Sequence, residues 1–192
     1  LLERYHTDFV RAGAELSDAD QERLRALNAE LSALATEFQQ NLLNDTNAAA
    51  VVVDDAAELD GLSPEAVRAA AQSAAERGLA GKYVITLALP TGQPPLAELT
   101  DRNLRERIHT ASVNRGQAVN RELVVRMAEL RAERARLLGY RNHAEYVVAD
   151  QTAPSTQAVA DMLAKLTAPA VANAHREAAE LAAEAGFPIQ AW

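Results

Sequence analysis

Asp18 to Asn47 reads DADQERLRALNAELSALATEFQQNLLNDTN. Its apolar positions are Leu24, Leu27, Leu31, Leu34, Phe38 and Leu42, separated by steps of 3, 4, 3, 4 and 4. Such steps set all six on one face of a 3.6-residue helix. Ser17 precedes the run as an N-cap, and Asp18 and Asp20 place negative charge in the first turn, where the helix dipole favours it. At 1.5 Å per residue the helix is about 45 Å long. A helix of that length with one apolar stripe is one limb of an antiparallel hairpin or bundle. The stretch makes the fold class mainly α, built on long antiparallel helices.

The composition agrees. Among 192 residues there are 42 alanines and 24 leucines, both strong helix formers, while aromatic residues make up only 4%. The hydrophobic fraction of 48% and charged fraction of 24% suit a globular chain with its own core. The absence of cysteine excludes a disulfide scaffold, a thiol nucleophile and a thiolate metal site. A net charge of −8 argues against general nucleic-acid binding, which needs a basic face. No apolar run reaches the roughly 18 residues of a membrane span, and no signal-peptide pattern is visible. Because Leu rather than Met stands first, the chain is expected to be a piece of a longer or processed product.

Working outward, Leu1–Ala12 reads as a short helix stopped at Gly13. Ala50–Asp54, with three successive valines, reads as a strand. Ser63-Pro64 is an N-cap followed by proline at the first helical position, opening a helix to Arg77. Gly81–Pro90 alternates Tyr83, Ile85, Leu87 and Leu89 with smaller residues, so these four are expected to face inward together from a strand. That strand would pair with Val51–Val53 or with one outside the chain. The β element is thus a small insertion within about 50–90. Thr91–Pro95 is expected to be a loop, and Thr100 to cap a helix from Asp101 to about Arg115. Helices follow from about Val119 to Leu138 and, capped by Asn142, from His143 to Val148. A last long helix starts at Ser155 or Thr156. Pro169 is expected to kink or break it near Thr167 before Gly186 and Pro188 end it.

Little in the chain points to chemistry. His6, His109, His143 and His175 lie no closer than 32 positions, so no helix carries the i, i+4 pair that grips zinc, and a site from separated histidines stays open. His143-Ala144-Glu145 fits the H-x-E of zinc deaminases, but their cysteine pair has no counterpart here. Thr91–Pro95 lacks the G-K-[ST] of a phosphate loop. Arg115, Arg121, Arg126, Arg131, Arg134 and Arg136 interleave with Glu122, Glu129 and Glu133, as on a solvated, ion-paired face. There is no G-x-S-x-G elbow, and the adjacent Asp54 and Asp55 sit in a turn.

Three segments together carry a resemblance. The first is the opening stretch, whose helix ends in Leu31, Leu34, Phe38, Asn41 and Leu42. The second, GKYVITLALPTGQPPLAELTDRNLRERIHTA, joins a strand and a proline loop to a D-R-x-L-R-E helix at Asp101, Arg102, Leu104, Arg105 and Glu106. The third carries Arg131, Ala132, Ala135, Leu137, Leu138, Gly139, Tyr140, Asn142, Ala144 and Tyr146. In this order they resemble the thimet oligopeptidase and bacterial peptidyl-dipeptidase family of zinc metallopeptidases. Ala191-Trp192 resembles the start of that family's W-D-x-x-Y-Y segment, and Gln151-Thr152-Ala153 departs from its usual x-M-A.

The resemblance implies a large, helical, two-lobed cytoplasmic enzyme that cleaves short peptides in a deep channel. One zinc would be held by H-E-x-x-H and a downstream glutamate. None of those residues occurs here, so the resemblance gives residues 1–192 no catalytic or metal residue and no assigned substrate-binding residue. It makes them a single helical portion of the channel wall, upstream of the zinc motif. The implied partners are short peptides and the remaining lobes of the same polypeptide, with no nucleic acid and no membrane. The isolated piece is expected to expose apolar surface and self-associate. The rival reading is a free-standing helical interaction module with no enzymatic role.

Overall fold

The computed structural model describes residues 2–87 and 94–192. In chain order its elements are α1 (Leu2–Arg11), α2 (Asp18–Ala48), β1 (Val51–Val53), a 3-10 turn (Ala56–Leu59), α3 (Pro64–Glu76), β2 (Tyr83–Ile85), α4 (Pro94–Glu98), α5 (Arg102–Val113), α6 (Gln117–Leu137), α7 (His143–Val148) and α8 (Thr156–Ala185). The fold is mainly α with a small β insertion, as the patterning requires. The chain divides into two compact units, Leu1–Ala35 with Val124–Ile189 and Thr36–Leu123 with Gln190–Trp192.

In the first unit the apolar stripe of α2 meets α6. Leu27, Leu31 and Leu130 are buried together, with Leu34, Met127 and Leu137 packed against them. Ion pairs flank this seam: Arg23 to Glu133, and Arg126 to Glu30 at 2.7 Å. The partner numbers fall along α6 as they rise along α2, so the two helices run antiparallel. Ser17 caps α2, its Oγ accepting from the Asp20 N–H at 3.2 Å.

The second unit is built on the two-stranded antiparallel sheet, with Val51 opposite Ile85, Val52 opposite Val84 and Val53 opposite Tyr83. Its core gathers Val51, Val53, Leu59, Ala70, Ile85, Leu87, Leu99, Leu104 and Ile108. Here α2 and α6 are fixed by polar groups. Asn120, 3% exposed, donates from Nδ2 to the Phe38 carbonyl at 3.1 Å, and Asn41 Nδ2 donates to Asn120 Oδ1 at 3.2 Å. One turn away the Gly116 N–H donates to Asp45 Oδ2 at 2.6 Å. Gly116 has φ +72°, and a Cβ there would come within 3.1 Å of Leu42. Gly61 is tighter still, since a Cβ would stand 2.1 Å from the Glu98 carbonyl oxygen.

Arginines fasten helices of this unit to main-chain oxygens elsewhere in it. Arg77 donates to Asn47 O, Arg107 to Val52 O, and Arg115 to Leu87 O. Arg105 reaches Leu99 O, Thr100 O and Trp192 O.

Four expectations need correction. The second strand is three residues long, and Val84 is as deeply buried as Ile85. Adjacent strand residues face opposite sides, so both faces of this narrow sheet are covered and alternation is not a one-sided signal. Leu89 and positions 91–93 of the expected loop lie outside the described residues, whereas Pro94 and Pro95 already open α4. Proline fits a first helical turn, whose N–H groups have no intrahelical partner. Asp101, not Thr100, caps α5, its side chain accepting from the Leu104 N–H at 2.8 Å, while Thr100 Oγ1 donates to Asp60 Oδ2. Finally, Pro169 does not break α8, which is helical on both sides of it. Proline removes one ladder bond and crowds one carbonyl, at about 3 kcal/mol, but 12 of the 30 residues of α8 are alanine and sustain the helix on both sides.

Candidate functional site

The four histidines are dispersed. His6 is exposed and lies 3.8 Å from Glu15. His109 packs its ring against Trp192, with centroids 5.9 Å apart. His175 is exposed on α8. Among the described residues no group of three or more His, Cys, Asp or Glu could hold a metal ion. The zinc that the resemblance implies therefore has no fitting ligand set in them.

His143 sits in a joint of the first unit. It is the first residue of α7, and Asn142 caps that helix by accepting from the Glu145 N–H at 3.0 Å. The His143 ring stacks on Tyr146 with centroids 6.0 Å apart, and Tyr140 meets the same ring edge-on at 5.5 Å. Two guanidinium groups also face that ring, Arg11 at 4.2 Å and Arg134 at 5.0 Å from its centroid. Arg11 further donates to the Tyr146 carbonyl and pairs with Asp150 at 3.5 Å. His143 Nδ1 and Arg134 Nε are buried without hydrogen-bond partners. Burial, reinforced by Arg131 and Arg134, holds the His143 pKa below its ordinary value. Glu145, the other half of the H-x-E match, is engaged by Arg141, whose hydrogen bond lowers its pKa.

The adjacent acids Asp54 and Asp55 have structural duties. Asp54 pairs with Lys82 at 2.8 Å, which lowers its pKa, and Asp55 caps the 3-10 turn. A cavity of about 630 Å³ in the second unit is lined by Asp45, Asn103, Glu106 and Arg107 among others. Asp45 is committed to Gly116, and Arg107 to Glu58 and Val52 O. The arginine run behaves in part as expected, with Arg126 bridging Glu30 and Glu129. Arg115 and Arg134 instead serve a main-chain carbonyl and the Tyr146 ring.

Five of the residues that carried the resemblance serve as joints: Asn41 in the amide pair, Asp101 as a cap, Arg105 as a fastener, Asn142 and Tyr146 in the α7 junction. What the sequence did not reveal was the use of Arg11, 135 positions from Tyr146.

The chain is similar along its length to known proteins. A profile described as Peptidase family M3 matches residues 95–192. The dipeptidyl carboxypeptidase of Salmonella typhimurium is 38% identical over 100% of this chain, and that of Escherichia coli is 36% identical over the same extent. Oligopeptidase A of Haemophilus influenzae is 33% identical over 94% of it. The chain spans about 30% of the length of these relatives. With the profile covering half of its residues and relatives aligned from end to end, the chain belongs to peptidase family M3.

Proposed function

We propose that this chain is a non-catalytic helical portion of a zinc-dependent peptidyl-dipeptidase or oligopeptidase that hydrolyses short peptides in the cytoplasm. In that reading residues 1–192 form one continuous stretch of the wall of the substrate channel. The zinc ligands and the general base come from the rest of the polypeptide. The observation that carries the proposal is the end-to-end match to proteins named dipeptidyl carboxypeptidase, of whose length it spans under a third. Two further features support it. No group of three or more His, Cys, Asp or Glu among the described residues could hold a metal ion, and no helix among them is long and apolar enough to cross a membrane.

The test compares this chain with the longer polypeptide by metal analysis and a quenched-peptide assay. The longer protein should hold zinc and cleave short peptides in a chelator-sensitive way, and the 192-residue chain should do neither. Stoichiometric zinc with cleavage by the chain alone would overturn its assignment as wall. A longer protein with neither property would overturn the peptidase reading and favour the interaction module.

A further inference from the structure

We propose that His143 is a proton-sensitive latch on the junction of α1, α6 and α7. The observation is the setting of its ring, stacked beside Tyr146 with centroids 6.0 Å apart, its Nδ1 buried and without a hydrogen-bond partner. A neutral imidazole can bury one nitrogen as a lone pair. Protonation turns both nitrogens into donors and adds a charge, so Nδ1–H would be left unsatisfied on the covered side of this half-buried ring.

The side-chain charges that act on this ring are positive. Arg131 and Arg134 approach from α6, and Arg11 of α1 covers the Tyr146 ring. The acids on and just after α7 already have cationic partners: Glu145 pairs with Arg141, and Asp150 with Arg11. Tyr140 contributes only its ring edge. The Tyr146 ring joins the three helices, since Arg11 and Arg134 both rest on it. Charging the ring beneath it therefore repels Arg134 and loosens α1 and α7 together.

The direction of the pH effect follows. The folded state holds the His143 pKa below the 6.5 of an unstructured chain, so the unfolded form binds the extra proton first. The latch is closed above that value and opens as pH falls through the folded pKa. This behaviour is independent of the peptidase assignment.

The test reads two quantities in the intact protein by mass spectrometry. Histidine C2-hydrogen exchange should place the His143 midpoint below 6.5. Amide protection across Leu2–Arg11 and His143–Val148, corrected for intrinsic rate, should be lost as pH drops through that midpoint. His143→Gln stays neutral and should keep its protection in acid. Arg131→Gln, on an exposed position, removes one repelling charge and should raise the midpoint. The proposal is overturned by a midpoint at or above the ordinary value. It is equally overturned if His143→Gln loses protection over the same pH range, or if the midpoint does not move in Arg131→Gln.

Discussion

Asn120 shows how much one side chain decides. It is 3% exposed, donates to the Phe38 carbonyl and accepts from Asn41, so both ends of its amide are used. Truncation would remove both bonds and leave the half-buried Asn41 amide without this partner. Asn120→Ala should therefore destabilise the chain by about 1–3 kcal/mol, read as a shift of the urea midpoint. No shift would mean water replaces the bonds and the site is less enclosed than it stands. Neither Asn41 nor Asn120 announces this role in the sequence, because an amide on a helix face reads as solvent-exposed until its partner is known. The same holds for Tyr146, whose aromatic body is visible but whose two guanidinium neighbours come from distant positions.

At the scale of elements, Ile85 is 6% exposed, opposite Val51 in the sheet. Ile85→Ala should cost about 2–4 kcal/mol through lost burial and a residual cavity. A denaturant titration with an unchanged midpoint would show that the core around it collapses or was never closed. Helix α8 makes a different point. Replacing Pro169 with alanine restores one ladder bond and should raise amide protection around the proline by up to about 3 kcal/mol. Unchanged exchange would mean the helix already accommodates the ring without loss. The helices were legible because period and caps are local: Ser17, Ser63 and Asn142 cap where the spacing says they should. What misled was tertiary. Val84 is covered because α3 packs on the sheet, and Thr100 is drawn away from capping by Asp60. The absence of an HExxH was visible in the sequence, whereas the duties of each histidine and acid required the fold.

For the whole molecule, the apolar residues left at the surface are the main feature. Leu2, Tyr5 and Phe9 of α1 are 83%, 56% and 66% exposed at helical spacing, and Met162, Leu163 and Leu166 of α8 exceed 50%. Contiguous apolar surface of this kind marks a contact region. The isolated chain should therefore sediment as concentration-dependent oligomers and bind a hydrophobic dye. A clean monomer without dye binding at high concentration would show these faces are tolerated by water. The arginine fasteners of the second unit bear on a separate matter, how such a fold persists among relatives 31–38% identical. Arg77 and Arg115 end on main-chain oxygens, which every amino acid supplies alike. The residue at the receiving end can drift while the bond survives, provided the backbone keeps its path. Such contacts should leave no paired substitutions between positions, so a map of covarying residues would be blind to the bonds that tie these helices down.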